Sequence, residues 1–394
     1  MTKTFKVNIL SGFLLLLFTL CIHISNVLPQ DKPSQKKLQH SKTCPKECQT
    51  CKTATDKALK YLSEKVSSGF RVPSMQDVVR ISLVGLAFMS EGSTPSKGQY
   101  SKEVSKCVED TLSNLTASRS DKLFANWRLS FAILFLIEVY NKEQDDKIKK
   151  ILVDIGKELE LNQEKDGGWA HGPKASPGDT YRSLNAATTV CLAALINLKK
   201  AGIPVDEKVI KQGTTYMEKS TIENPVTGGT THVGSVGYSV EKIEPNAKYG
   251  YPSPAITALA IYDMIQLGNK TKSASYGRWI DYLRIDLKNT LYWSHGSFHL
   301  CFLYTAIGSH KLGANDWKNF KIEWLDYLLN TQNGEGISQR IADNTTGLHA
   351  KAKGHNAEDH ATDDTYRTAI LAIILQLPLG NLTIMTDRKI EKKK

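Results

Sequence analysis

From about residue 53 onward the chain alternates between two kinds of apolar pattern. Segments 53–67, 102–115, 145–161, 207–219, 275–290 and 317–330 carry apolar residues on one face and charges on the other, as amphipathic helices do. Between them lie 78–90, 129–140, 186–199, 255–267, 298–307 and 368–375, which are apolar around most of the circumference. A helix apolar nearly all round has to be buried nearly all round. No run with period-two alternation predicts a strand. Several of the apolar segments end in a glycine stop: Glu91-Gly92, Ala201-Gly202, Leu267-Gly268 and Leu312-Gly313. The pattern therefore predicts an all-α protein of twelve helices in six hairpins, the apolar members inside and the amphipathic members outside. Repeats of about 45–70 residues stack or close on themselves. Neither end of the array carries a polar capping repeat, so a closed (α/α)6 toroid is expected rather than an open solenoid.

The joints between hairpins carry their own pattern. Gln163-Glu-Lys-Asp-Gly-Gly-Trp169 sits between two of the helical segments, and Gln332-Asn-Gly-Glu-Gly336 is a weaker copy. Glycine permits left-handed backbone at a helix end, the Gln amide can reach exposed backbone groups, and an aromatic can seal the joint. Gln163, Asp166, Gly167, Gly168 and Trp169 are accordingly expected to be structural.

Composition changes this picture little. Of 394 residues, 41% are hydrophobic and 8% aromatic, as in a globular protein with a sizeable core. The net charge of +11 owes much to the ends: Lys32, Lys36, Lys37 and Lys42 at one, Arg388, Lys389, Lys392, Lys393 and Lys394 at the other. No folded basic face interleaved with aromatics suggests a nucleic-acid partner. Lys3 and Lys6 followed by the largely apolar 9–24 read as an export signal. The site after it, Ser25-Asn26-Val27, is a weak cleavage site. An uncleaved anchor, with membrane association through the N-terminus, is therefore the alternative to a secreted or periplasmic protein. The expected organisation is signal or anchor 1–24, polar Cys-containing linker 25–52, toroid 53–386 and basic tail 387–394.

Behind an export signal, Cys44, Cys48 and Cys51 are expected to form disulfides, with Cys107 as a further partner. A zinc or haem reading is disfavoured, since no second Cys pair follows and no His adjoins Cys51. Cys191 and Cys301 fall in apolar helical segments and read as buried thiols.

These residues resemble the terpene-cyclase and protein-prenyltransferase superfamily. The segment Phe131-Ala-Ile-Leu-Phe-Leu-Ile-Glu-Val-Tyr140 with the loop ending at Trp169, the stretch 227–251 and the ending Leu377-Pro-Leu-Gly-Asn-Leu382 are similar to exported squalene-cyclase/prenyltransferase-repeat proteins of planctomycete-type bacteria. The resemblance implies an α/α toroid. It does not carry the enzymes' chemistry over. The cyclases' acidic D-x-D-D-T-A run meets Ala361-Thr362-Asp363-Asp364-Thr365, which lacks the first Asp. Shifting the alignment brings Arg367 into the run, where a cation would hold down the carboxyl pKa that alkene protonation needs raised. The prenyltransferase zinc ligands meet His295-Gly-Ser297 and Arg367, with His360 a turn or two earlier, so that ligand set is not preserved.

Two constellations remain as candidate sites. Asp179-Thr-Tyr181-Arg182 and Asp364-Thr-Tyr366-Arg367 are near-copies leading into inner helices. They read either as helix caps with an Asp–Arg pair or as Asp-Tyr-Arg sets at the cavity mouth, suited to a carboxylate or sugar ligand. His295 and His299 at one inner-helix entry, with His349, His355 and His360 in the long polar loop 333–364, read as loop histidines or as a metal or acid–base cluster. His171, Tyr249, Tyr251 and Trp293 also fall at inner-helix entries. The expectation is an exported toroid without cyclase or zinc-prenyltransferase chemistry, binding a lipid, terpenoid or glycan in its central cavity. The alternative is an enzyme on that scaffold, terpenoid-modifying or a polysaccharide lyase or hydrolase. The sequence identifies no cofactor and no metal-ligand set.

Overall fold

The computed structural model describes residues 38, 40, 44 and 47–385, apart from 70–76, 120–121, 174–182, 224–232, 241–251, 269–272, 291–296 and 340–362. The expected signal segment and basic tail lie outside these residues. Among the described residues, no helix is long and apolar enough to cross a membrane.

Among the described residues, twelve α-helices alternate as the pattern predicts. The outer ones are α1 (Gln49–Ser68), α3 (Ser101–Ala117), α5 (Asp146–Leu161), α7 (Glu207–Lys219), α9 (Ala274–Asp286) and α11 (Ala314–Asn330). The inner ones are α2 (Asp77–Glu91), α4 (Ala125–Glu143), α6 (Asn185–Lys200), α8 (Pro254–Gln266), α10 (Phe298–Leu312) and α12 (Asp364–Gln376). Each inner helix packs on the next, and α12 returns to pack on α2, so the ring closes. Starts are set locally. Asp145, Asp206, Ser253, Ser297 and Asp363 each accept a backbone N–H of the first turn, and Pro254 opens α8 with a preset φ. Helix α1 begins at Gln49, inside the expected linker, which places Cys51 in its first turn.

One joint recurs around the ring. The Gln163 amide donates to Gly167 O and to Val209 O of α7, both at 2.8 Å. Gln332 repeats this with Gly336 O at 3.0 Å and Ala54 O of α1 at 2.9 Å. Backbone N–H groups of Trp169, Val236 and Ser338 donate to Thr188, Thr257 and Thr368 on the following inner helices, at 3.0, 3.0 and 2.9 Å. Gly167, Gly234 and Gly336 all have φ between 91° and 96°. A Cβ on any of them would meet a carbonyl oxygen of the next outer helix (Gln212, Arg278 or Lys57) at 2.5–2.7 Å. Glycine is required here twice over, by conformation and by contact. Trp169 is fully buried and its indole donates to Leu159 O at 2.9 Å. Asp166 accepts from the Gly168 N–H at 3.0 Å and from the Ser183 hydroxyl at 2.6 Å.

The C-terminal ends of the inner helices are stoppered by the chain's own last described segment. Glu138 Oε1 accepts from the Thr383 hydroxyl at 2.9 Å and from the Ile384 N–H, while Tyr262 donates to Ile384 O at 2.6 Å. Burial pushes the Glu138 carboxyl above its usual range, against these donors. Leu382, Ile384 and Met385 enter the space ringed by Leu83, Leu134, Val190, Leu259, Tyr304 and Ile373, leaving a void of about 30 Å3. That is space on the scale of single waters. At this end the central cavity, where a ligand is expected from the sequence, is filled by side chains.

Candidate functional site

With one end closed, the chemistry of the shaft belongs to the other, where the inner helices begin. All six inner helices begin there at described residues, and the ion pairs of that rim lie on α2 and α12, which pack on each other, with α10 against α12. Asp363 caps α12, its Oδ1 accepting the Tyr366 N–H at 2.8 Å, and its Oδ2 accepts from Arg80 Nη1 of α2 at 2.6 Å. Arg80 also pairs with Asp77, one turn earlier on its own helix. One turn into α12, Arg367 pairs with Asp364 and donates Nε to Ser338 O at 3.2 Å. Carboxylates and guanidinium groups therefore alternate along the rim, each acid held by a charge-assisted bond. Asp363 and Asp364 keep 44% and 50% of their side-chain exposure, so they face outward.

The second near-copy thus divides its residues. Asp364 is exposed, whereas Tyr366 and Arg367 are buried between helices. The Ser297 hydroxyl donates to Tyr366 Oη at 3.3 Å, and burial pushes that phenol up. His299 is buried one residue into α10, its Nε2 3.1 Å from Ser338 Oγ. Burial first, and the nearby Arg367 charge second, lower its pKa to about 3, so the ring is neutral at ordinary pH. Asp179, Tyr181, Arg182, His295, His349, His355, His360, Tyr249, Tyr251 and Trp293 lie outside the described residues. His171 accepts the Trp127 indole N–H at 2.9 Å, sealing the α4 entry.

Sequence reasoning passed over Asp77 and Arg80, although a signal existed. Asp77-Val-Val-Arg80 repeats the Asp-x-x-Arg spacing of the two copies it did single out, at the start of another inner helix. It also passed over Asp263 on α8, fully buried with neither carboxylate oxygen hydrogen-bonded. Burial holds its carboxyl well above the usual range.

The disulfide expected among Cys44, Cys48, Cys51 and Cys107 is not formed; all four are buried thiols. Cys44 and Cys51 Sγ stand 3.4 Å apart, beyond the ~2.05 Å of a bond. Cys107 lies in α3, pushed far up by burial in apolar surroundings. The group that joins the other three is His40.

Residues 55–385 match a family described as a domain of unknown function. A search of curated proteins returned no match. Solved structures are similar over nearly the whole ring. One is an inactive variant of an α-1,6-mannanase from a Salegentibacter species, with two adjacent aspartates changed to asparagine, in complex with α-1,6-mannotriose. It is 10% identical with a TM-score of 0.54, covering 82% of this chain and 98% of that one. The Lin0763 protein of Listeria innocua is 10% identical with a TM-score of 0.55, covering 84% and 97%. The unsaturated glucuronyl hydrolase of a Bacillus species is 13% identical with a TM-score of 0.54, also covering 84% and 97%. At such identities the likeness shows the fold, an (α/α)6 toroid. It also overturns the resemblance to terpene cyclases and prenyltransferases, because the similar toroids are of another kind. The physical reason is plain in the joint itself. A Gln-, Gly- and Trp-bearing loop solves the problem of seating one hairpin on the next, which any α/α ring must solve.

Proposed function

The chain belongs to that family, DUF6288, and on this premise we propose that it is a carbohydrate-active toroid which binds and cleaves a glycan at the inner-helix entry face. The observation that carries the reading is the polarity of the ring. One end of the shaft is stoppered and apolar, while the other presents Asp363 and Asp364, with Arg80, Arg367 and the buried Asp77 behind them. Glycoside cleavage uses paired carboxylates flanking the scissile bond. The mannanase of the same fold is inactive when two adjacent aspartates are replaced, and this chain carries an adjacent pair, Asp363-Asp364, at a solvent-facing inner-helix start. In this reading Arg80 fixes the carboxylates of α2 and α12 relative to each other, so that a sugar meets a preset array.

The test is turnover of two substrate sets, α-1,6-linked mannooligosaccharides and unsaturated uronyl oligosaccharides, by the full chain, with binding followed calorimetrically. Release of new reducing ends from either set is expected, together with a loss of roughly 100-fold or more in kcat/KM for Asp363→Asn. A folded protein that neither binds nor cleaves either set sinks the reading.

A further inference from the structure

The three lead cysteines do not stand alone. His40 Nδ1 lies 3.3 Å from Cys48 Sγ, 3.4 Å from Cys44 Sγ and 3.8 Å from Cys51 Sγ, and Cys44 Sγ is 3.4 Å from Cys51 Sγ. All four ligand atoms fall within 4.8 Å of one another. One imidazole nitrogen can take part in one good hydrogen bond, yet three sulfurs converge on it. Hydrogen bonding therefore does not account for the arrangement.

From these distances we propose that His40, Cys44, Cys48 and Cys51 form a mononuclear zinc site that clasps the ring at its seam. A tetrahedral ion with Zn–S near 2.3 Å and Zn–N near 2.0–2.1 Å holds its sulfurs about 3.8 Å apart and its nitrogen about 3.5 Å from each sulfur. The observed separations scatter around those values. Four ligand atoms this close leave no room for a multi-iron cluster. Three thiolates and one imidazole suit Zn2+, and with four protein ligands no position stays open for substrate, so the site is structural.

The outer shell supports the same assignment. Asp326 Oδ1 accepts from His40 Nε2 at 2.6 Å. A proton held on Nε2 leaves the Nδ1 lone pair facing the sulfurs, the usual carboxylate–histidine–metal relay. Lys321 donates to Cys44 O. Cys48 is the N-cap of α1 and Cys51 is in its first turn, where the helix dipole favours thiolate. Binding balances simply: the ion displaces three thiol protons to solvent, leaving a centre of net charge −1 beside the Lys321 ammonium.

Position indicates the role. His40 and Cys44 come from the lead, Cys48 and Cys51 from the start of the first outer helix, and Asp326 and Lys321 from the last one, α11. The Gln332 amide crosses the same seam to Ala54 O. The ion would tie the chain's beginning to its final hairpin. This inference is independent of the glycan reading.

The experiment uses the full chain purified without chelators. Elemental analysis should find about one zinc per chain. Replacement by Co2+ should give the strong visible bands and sulfur-to-metal charge transfer of a tetrahedral thiolate site. Cys48→Ser should abolish both, and Cys107→Ser should leave both intact. Should Cys48→Ser fail to fold, Asp326→Asn keeps every ligand and should weaken zinc roughly 10- to 100-fold in chelator competition. Peptide mapping that finds a Cys44–Cys51 disulfide overturns the proposal. So does metal-free protein, or zinc equally tight in Asp326→Asn and in a Cys48→Ser variant that folds.

Discussion

At the scale of residues, two side chains show how burial alone sets the outcome. Trp169 is wholly enclosed and spends its one donor on Leu159 O. Trp169→Ala removes that bond and opens a cavity at a hairpin joint, so it should cost about 3–5 kcal/mol. Chemical denaturation measures this, and a loss below about 1 kcal/mol would mean the ring is not buried. His299 makes a pH prediction. Its folded pKa is about 3 against an ordinary value of 6.5. Between those values the unfolded chain binds a proton that the native chain refuses, so stability falls as pH drops through that window. His299→Gln should lack this limb. The gap between variant and parent should shift in the variant's favour by roughly 2.5–3 kcal/mol from pH 7.5 to 4.5. Parallel curves for the two proteins at both pH values would contradict the burial of the ring. The role of Trp169 was legible in its joint motif, whereas the behaviour of His299 does not follow from the sequence alone. His299 reads there as an entry-loop histidine, because nothing local reveals that Ser338 and Arg367, from a distant loop and helix, enclose it.

At the scale of elements, the helices were legible because each carried a period. Apolar circumference marked α2, α4, α6, α8, α10 and α12, and an apolar stripe marked their partners. Starts were less legible. Helix α12 begins at Asp364, four residues before the expected 368, because Asp363 caps it and draws the polar Asp-Thr-Tyr-Arg run into the first turn. The Asp77–Arg80 part of the rim escaped notice for a different reason. A three-residue spacing of opposite charges is common on helix surfaces, and only the meeting of α2 with α12 gives it meaning. The final segment escaped because Leu382–Met385 has no periodicity, and its place is decided by Glu138 and Tyr262 from far away in the chain. Ile384 is 1% exposed and lines the shaft with Leu382 and Met385. Ile384→Ala should therefore cost about 2–5 kcal/mol and speed hydrogen exchange of its neighbours' amides. A cost under about 1 kcal/mol, with exchange unchanged, would mean that the stopper does not hold the shaft.

At the scale of the whole molecule, the ring is held shut by partners far apart in sequence. Arg80 meets Asp363, His40 meets Asp326 and Gly336 fits against Lys57. Such a ring has a beginning and an end in time as well as in space. A ribosome adding roughly 5–20 residues per second needs about 15–60 s to make the stretch between Arg80 and its partner on α12. Throughout that interval the flank of α2 that will receive α12 has nothing to pack against. The growing chain must therefore keep an apolar helix face shielded by other means until its last hairpin arrives, and the arginine at that face gives it a charged edge while it waits.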